Sequence, residues 1–273
     1  LILSIDQNYV YPREIIICGT NSLDLIHIPR KLMKKLNIKF ILSKKNSQII
    51  QRNIAIKNSN SDYILQIDDD VIVKKNFFLN LSKYTINKKD NKVIVSALII
   101  QNNKSLQAGT WNNIYKRYAL FRFLVFVLNK FNKIKEYSIL SSGRCVPYIK
   151  NFDKKLKNNI ENVEWLCSTI LYHKNCLKFV KNFKQHSNKA YYEDVLFSHQ
   201  LYRKNYKLLI DVNAIGIHDN QPYTSTSIYF KTLLTQLELV KFFNKSKTLF
   251  FLDAFIFTFV HMLRDIYVKF KKN

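Results

Sequence analysis

Over the first hundred residues, short apolar runs rich in β-branched residues alternate with segments of helical spacing, and this limits the chain to few folds. Glu14-Ile15-Ile16-Ile17-Cys18 closes on Gly19; Ile38–Leu42, Asp62–Ile67 and Val93–Ile100 follow. Continuous apolar runs of this kind read as strands buried on both faces. Between them, residues 22–36 place Leu25, Ile28, Leu32 and Leu36 at helical spacing, interrupted by Pro29. Residues 47–57 and 75–87 read as further helices, and residues 1–8 as the end of one. Strands separated by helices are βαβ units, so the expected class is α/β, a mostly parallel sheet flanked by helices.

The chain has 273 residues with 47% hydrophobic and 14% aromatic content, which excludes a disordered or fibrous protein. No repeat or linker divides it. The reading is one catalytic-type domain over 1–225 and a C-terminal appendage of amphipathic helices over 226–273. Lys and Arg number 44 against 19 acids, a net charge of +25 that attracts phosphates of any kind. The lysines are scattered rather than gathered in one stripe, as an AT-rich coding sequence also produces. Charge alone therefore assigns no partner. Clustered Arg with stacking aromatics, the mark of a nucleic-acid module, is absent, so no nucleic acid is expected.

Cys18, Cys145, Cys167 and Cys176 form no CxxC pair and suit buried thiols in a reducing compartment. The first residues lack the basic start and cleavage site of a signal peptide. Residues 118–131 and 249–263 are aromatic and apolar but broken by Arg122, Asn129 and Lys130, and by Asp253 and His261. Neither is an uninterrupted span. With their basic flanks they suit either peripheral contact with an anionic lipid interface or helices packed on the domain.

In an open α/β sheet, ligands sit beyond the carboxyl ends of the strands. Asp68, Asp69 and Asp70 lie there, directly after an apolar strand. Three consecutive carboxylates repel one another unless a cation offsets them, and hard oxygen ligands suit Mg²⁺ or Mn²⁺. The competing reading is a solvated acidic turn. Glu193 and Asp194 open an amphipathic helix, where the dipole favours acids and where a carboxylate can also act as a general base. His218 ends a short apolar stretch; it is either a hydrogen-bonded structural residue or the imidazole that completes a carboxylate metal site.

Taken together, these segments resemble the family-2 glycosyltransferases with a GT-A (Rossmann-like) fold. The resemblance runs in order through Arg52-Asn53, the block Ser61–Val71 with its DXD acids, Val163–Ser168, Tyr191–Val195 and Ile217-His218. It implies that Asp68 and Asp70, with His218 close by, hold a divalent cation, Mn²⁺ or Mg²⁺, against the diphosphate of a nucleotide-sugar donor (UDP-, GDP- or dTDP-linked). It further implies Asp194 as the base of an inverting transfer, supported by Glu193. Arg52, Asn53 and Asp69 would face the donor, and Trp165 and Tyr192 the acceptor. Three departures are expected: the chain starts after the family's first nucleotide-binding strand, Cys18-Gly19-Thr20-Asn21-Ser22 replaces the family's acid after the second strand, and Cys167-Ser168 stands where the family has Ser-Gly.

The function the resemblance implies is transfer of one sugar to a hydroxyl of a glycan or lipid-linked acceptor. Surface polysaccharide biosynthesis, in the cytoplasm at the inner face of the membrane, is the expected setting. A processive synthase is disfavoured, because the chain lacks the QxxRW motif well beyond Asp194. Two other readings compete. One is a catalytically degenerate relative serving as a scaffold subunit. The other is a metal-dependent phosphatase or nuclease, which would leave the Trp and Glu-Asp motifs unexplained.

Overall fold

The four short apolar runs of the first hundred residues become strands, because each is too short for a buried helix and rich in residues that pack well on a pleated surface. The computed structural model describes residues 1–21, 28–86, 92–101, 104–105, 118–147, 159–181, 192–218 and 226–272. After a short α1 (Ile2–Asp6) come β1 (Ile15–Gly19), α2 (Arg30–Lys35), β2 (Ile38–Leu42), α3 (Gln48–Lys57), β3 (Tyr63–Ile67), β4 (Val71–Val73), α4 (Phe77–Ile86), β5 (Val93–Gln101) and β6 (Lys104–Ser105). Pro29 stands at the cap of α2, where its missing N–H costs nothing. Leu25, Tyr191 and the basic flank Lys116-Arg117 lie outside the described residues.

The chain continues through α5 (Ala119–Leu128), β7 (Ser138–Ile139), β8 (Cys145–Val146), β9 (Ile160–Glu161), β10 (Thr169–His173), a 3₁₀ turn (Lys174–Phe179), α6 (Glu193–Tyr202), β11 (Lys207–His218), α7 (Thr226–Phe242) and α8 (Lys247–Lys272). The α/β architecture is as expected; the strand directions are not. The seven-stranded sheet has the order β3-β10-β5-β11-β4, with β6 beside β5 and β9 beside β11. Among the described residues only β5–β11 is parallel within it, and β10 enters antiparallel between β3 and β5. β1 and β2 pair in parallel as a separate sheet. Residues 163–168, part of the resemblance above, are a loop that leads into β10.

The sheet's core joins Val71, Val73, Phe77, Val95, Ile99 and Leu209. β11 lies between β5 and β4, and Gly216 permits that spacing. A Cβ there would sit 2.8 Å from Ile99 Cδ1 and 2.9 Å from Val71 Cγ1.

Contacts divide the chain into two units. The first comprises residues 1–106, 155–181 and 188–220; the second comprises 107–154, 182–187 and 221–273. The C-terminal helices share the second unit with α5 and the β7–β8 hairpin. Within that unit Arg144 forms a bidentate pair with Asp253, at 2.6 and 2.9 Å. Phe121 of α5 meets Phe257 of α8 edge-on at 6.2 Å. No disulfide involves any of the four cysteines.

Candidate active site

β3 ends at Ile67 and delivers Asp68 beyond its carboxyl end; the chain then turns through Asp69 into β4. β4 pairs antiparallel with the end of β11, with His218 opposite Val71. That register brings His218 Nε2 to 3.2 Å from Asp70 Oδ1. Asp68, Asp70 and His218 each offer a ligand atom, and these atoms lie within 4.8 Å of one another. Ligands on opposite sides of a small divalent cation are about 4–4.6 Å apart, so the three fit one ion, and their oxygen and nitrogen donors suit Mn²⁺ or Mg²⁺. Asp69, between them, is exposed.

α3 contributes Arg52, whose guanidinium donates to Asp68 Oδ1 at 2.6 Å and also to Glu193 Oε2. Arg52 thus ties the end of β3 to the first turn of α6. The neighbouring Asn53 is exposed on the same helix. On α6, Asp194 accepts from Ser168 N–H at 3.0 Å through Oδ2 and from Val195 N–H at 2.9 Å through Oδ1. Both of its oxygens are therefore oriented. Ser198, one turn on, accepts from Leu166 N–H at 2.9 Å, and His199 Nδ1 lies 2.8 Å from Glu164 O. These contacts lay the 163–168 loop along α6.

The electrostatics are unbalanced. Asp68, Asp70, Glu193 and Asp194 gather around one guanidinium and an imidazole. Burial raises the Asp68 carboxyl to about 6, and the Asp194 and Asp70 charges add to this although Arg52 opposes them. Burial likewise pushes Glu193 and Asp194 up. Burial by itself would lower Arg52, but the Glu193 and Asp68 carboxylates more than offset it and hold the guanidinium charged. In a chain of net charge +25, the deficit of positive charge here is local. A divalent cation would relieve it.

Two expected site residues fall differently. Trp165 is 2% exposed, so it belongs to the core and presents no ring face for a sugar to stack on. Its indole body is drawn in with the loop that α6 anchors. Tyr192 is half-buried at the start of α6, and its φ of 59° is left-handed. Ser168 was not singled out as a site residue, yet its N–H holds Asp194 and its φ is 61°. The signal was present in the departure from the family's Ser-Gly, since a glycine at that position marks a left-handed backbone.

Comparison with known proteins shows the family and the fold. The Glycosyl transferase family 2 profile matches residues 2–153. No curated protein matches the chain. Among solved structures, GalNAc-T7 with UDP, GalNAc and Mn2+ superposes with a TM-score of 0.56 at 13% identity, over 87% of this chain and 44% of that one. TarS from S. aureus, residues 1–349 in complex with UDP-GlcNAc, gives 0.51 at 15% identity over 88% of this chain and 62% of that one. A second TarS structure gives 0.50 at 14%, over 86% and 36%. This chain therefore spans less than two thirds of each of these proteins; at such identity they share its GT-A fold.

Proposed function

The chain belongs to glycosyl transferase family 2, and on that premise we propose that it is a metal-dependent, inverting transferase. It would move one sugar from a nucleotide-diphosphate donor to a hydroxyl of a glycan or lipid-linked acceptor. The observation that carries this reading is the single cluster in which Asp68, Asp70 and His218 share one cation-sized space while Asp194 stands oriented nearby. Asp68, Asp70 and His218 hold the cation, which when bound neutralises charge on the departing diphosphate.

Asp194 takes the proton of the acceptor hydroxyl as its oxygen bonds the anomeric carbon. The bond from that carbon to the diphosphate breaks on the opposite side, so configuration inverts. The Ser168 and Val195 N–H groups fix the carboxylate's direction, and burial makes it a better base than a solvated aspartate. Arg52 holds Glu193 and Asp68 in register, so the two halves of the site move together. Surface polysaccharide assembly at the inner face of the cytoplasmic membrane is the setting that fits such a reaction.

The test is a panel of nucleotide sugars with the full-length protein, reading Mn²⁺-dependent binding and turnover. One donor should bind only with metal, Asp70→Ala should abolish that binding, and Asp194→Ala should bind without turning over. Absence of metal-dependent donor binding would instead favour the degenerate scaffold reading.

A further inference from the structure

Two helices of the second unit show apolar faces that nothing among the described residues covers. α8 uses one face inward: Phe250 is 5% exposed, Asp253 is fully buried and Phe257 packs on Phe121. Its other face carries Phe251, Phe255, Phe259 and Met262, from 52% to 74% exposed. These positions advance by four, four and three residues, so they form one stripe along the helix. α5, packed beside α8, also exposes Phe123 at 59% and Phe126 at 40%. Solitary exposed phenylalanines are ordinary, but an aromatic stripe repeated at helical spacing along α8 marks a binding surface.

The charges select the partner. Asp253, the one carboxylate in the stretch 249–259, is turned inward onto Arg144 and Gln236, leaving the outer stripe without charge. The segment 118–135 contains no acid, and Lys130, Lys133 and Lys135 are exposed at its end. Lys247 opens α8, and Arg264, Lys269, Lys271 and Lys272 stand in its final turns in sequence. Apolar stripes bordered by lysine and arginine complement acyl chains beneath a layer of phosphate headgroups. No helix of the described residues is long and apolar enough to cross a membrane, so α8 would lie in the interface plane.

We propose that α8 docks the protein on an anionic lipid bilayer through this aromatic stripe. The proposal goes beyond the transfer reaction and does not depend on it. Full-length protein is sedimented with vesicles of phosphatidylcholine alone, or of phosphatidylcholine mixed with phosphatidylglycerol. Wild type should sediment with the mixed vesicles and much less with the neutral ones.

With +25 of charge, lysines alone can attract such vesicles, so the apolar variant decides. Phe251→Ser/Phe255→Ser/Phe259→Ser, at exposed positions, should weaken binding at least about tenfold while its circular dichroism stays unchanged. Lys31→Glu/Lys34→Glu in the first unit should change binding far less than Lys133→Glu/Lys135→Glu. Independently, the Phe255→Trp variant should shift its emission to the blue on mixed vesicles. Equal binding by the triple serine variant, or no shift at Trp, overturns the proposal. So does sedimentation velocity showing that wild type self-associates through this face and the serine variant does not.

Discussion

Two carboxylate environments in the first unit face opposite electrostatic fates. Glu14, just before β1, accepts from Lys39 Nζ at 2.7 Å, Asn60 N–H at 2.8 Å, Ser59 Oγ at 3.1 Å and Ser61 Oγ at 3.3 Å. Lys39 and these donors bring its carboxyl down to about 2 despite partial burial. Asp68 lies at the other end of β3, near Asp70 and Asp194, with one guanidinium between it and Glu193. Burial holds it up near 6. Glu14 is fully answered by protein groups and serves as a fastener between β1, β2 and the turn before β3. The site carboxylates are under-answered, and groups left in that condition are where a cation and a proton transfer belong.

The comparison is sharpest at Asp194. Asp194→Asn keeps the shape and the Val195 contact but cannot take a proton, so turnover should fall roughly 10²–10⁴-fold with donor affinity retained. Single-turnover kinetics beside equilibrium donor binding checks this. Next is Arg52→Met, which leaves Asp68 and Glu193 without their shared cation. Denaturant unfolding should register a loss of about 2–3 kcal/mol, less than for a fully buried pair because water reaches these side chains. The loss should be greatest above pH 6, where Asp68 is ionised.

Glu14→Gln removes the fastener and should cost about 1–2 kcal/mol at neutral pH. The sign with pH separates the two environments. Glu14 is depressed from its usual 4.5, so its contribution is present above that pH and disappears as pH falls toward 2. Asp68 is raised from 3.8, so in the metal-free protein its penalty is absent below that pH and complete once pH has risen through about 6. Melting temperatures of wild type, Glu14→Gln and Asp68→Asn across this range should diverge in opposite directions. The smallest effect is at Ser168. Ser168→Gly relieves a left-handed backbone while keeping the N–H that holds Asp194, and should stabilise by about 0.5–1 kcal/mol with activity preserved.

What sequence could and could not convey follows from the same distinction between local and distant causes. The strands β1, β2, β3 and β5 and the helices between them were legible, because an apolar run or a helical spacing is a local signal. So were Asp68 and Asp70, since acids directly after an apolar strand stand out. The antiparallel entry of β10 between β3 and β5 was not, because nothing in Thr169–His173 encodes which strands will flank it. Nor was the burial of Trp165, which depends on Ser198 and His199 of α6 gripping the loop from more than thirty residues away. Arg52 was read as a donor contact, yet its guanidinium bridges Asp68 and Glu193. Asp253 looked like an interruption of an apolar segment and is instead its inward anchor on Arg144.

The most direct test of the unbalanced site is a Mn²⁺ titration of the full-length protein without donor, followed by isothermal calorimetry or the electron paramagnetic resonance of free Mn²⁺. Wild type should bind one ion, more weakly as pH falls through about 6, and Asp70→Ala should abolish that binding. Absence of binding by wild type, or a site that survives Asp70→Ala unchanged, would contradict the claim that these carboxylates are held for a cation.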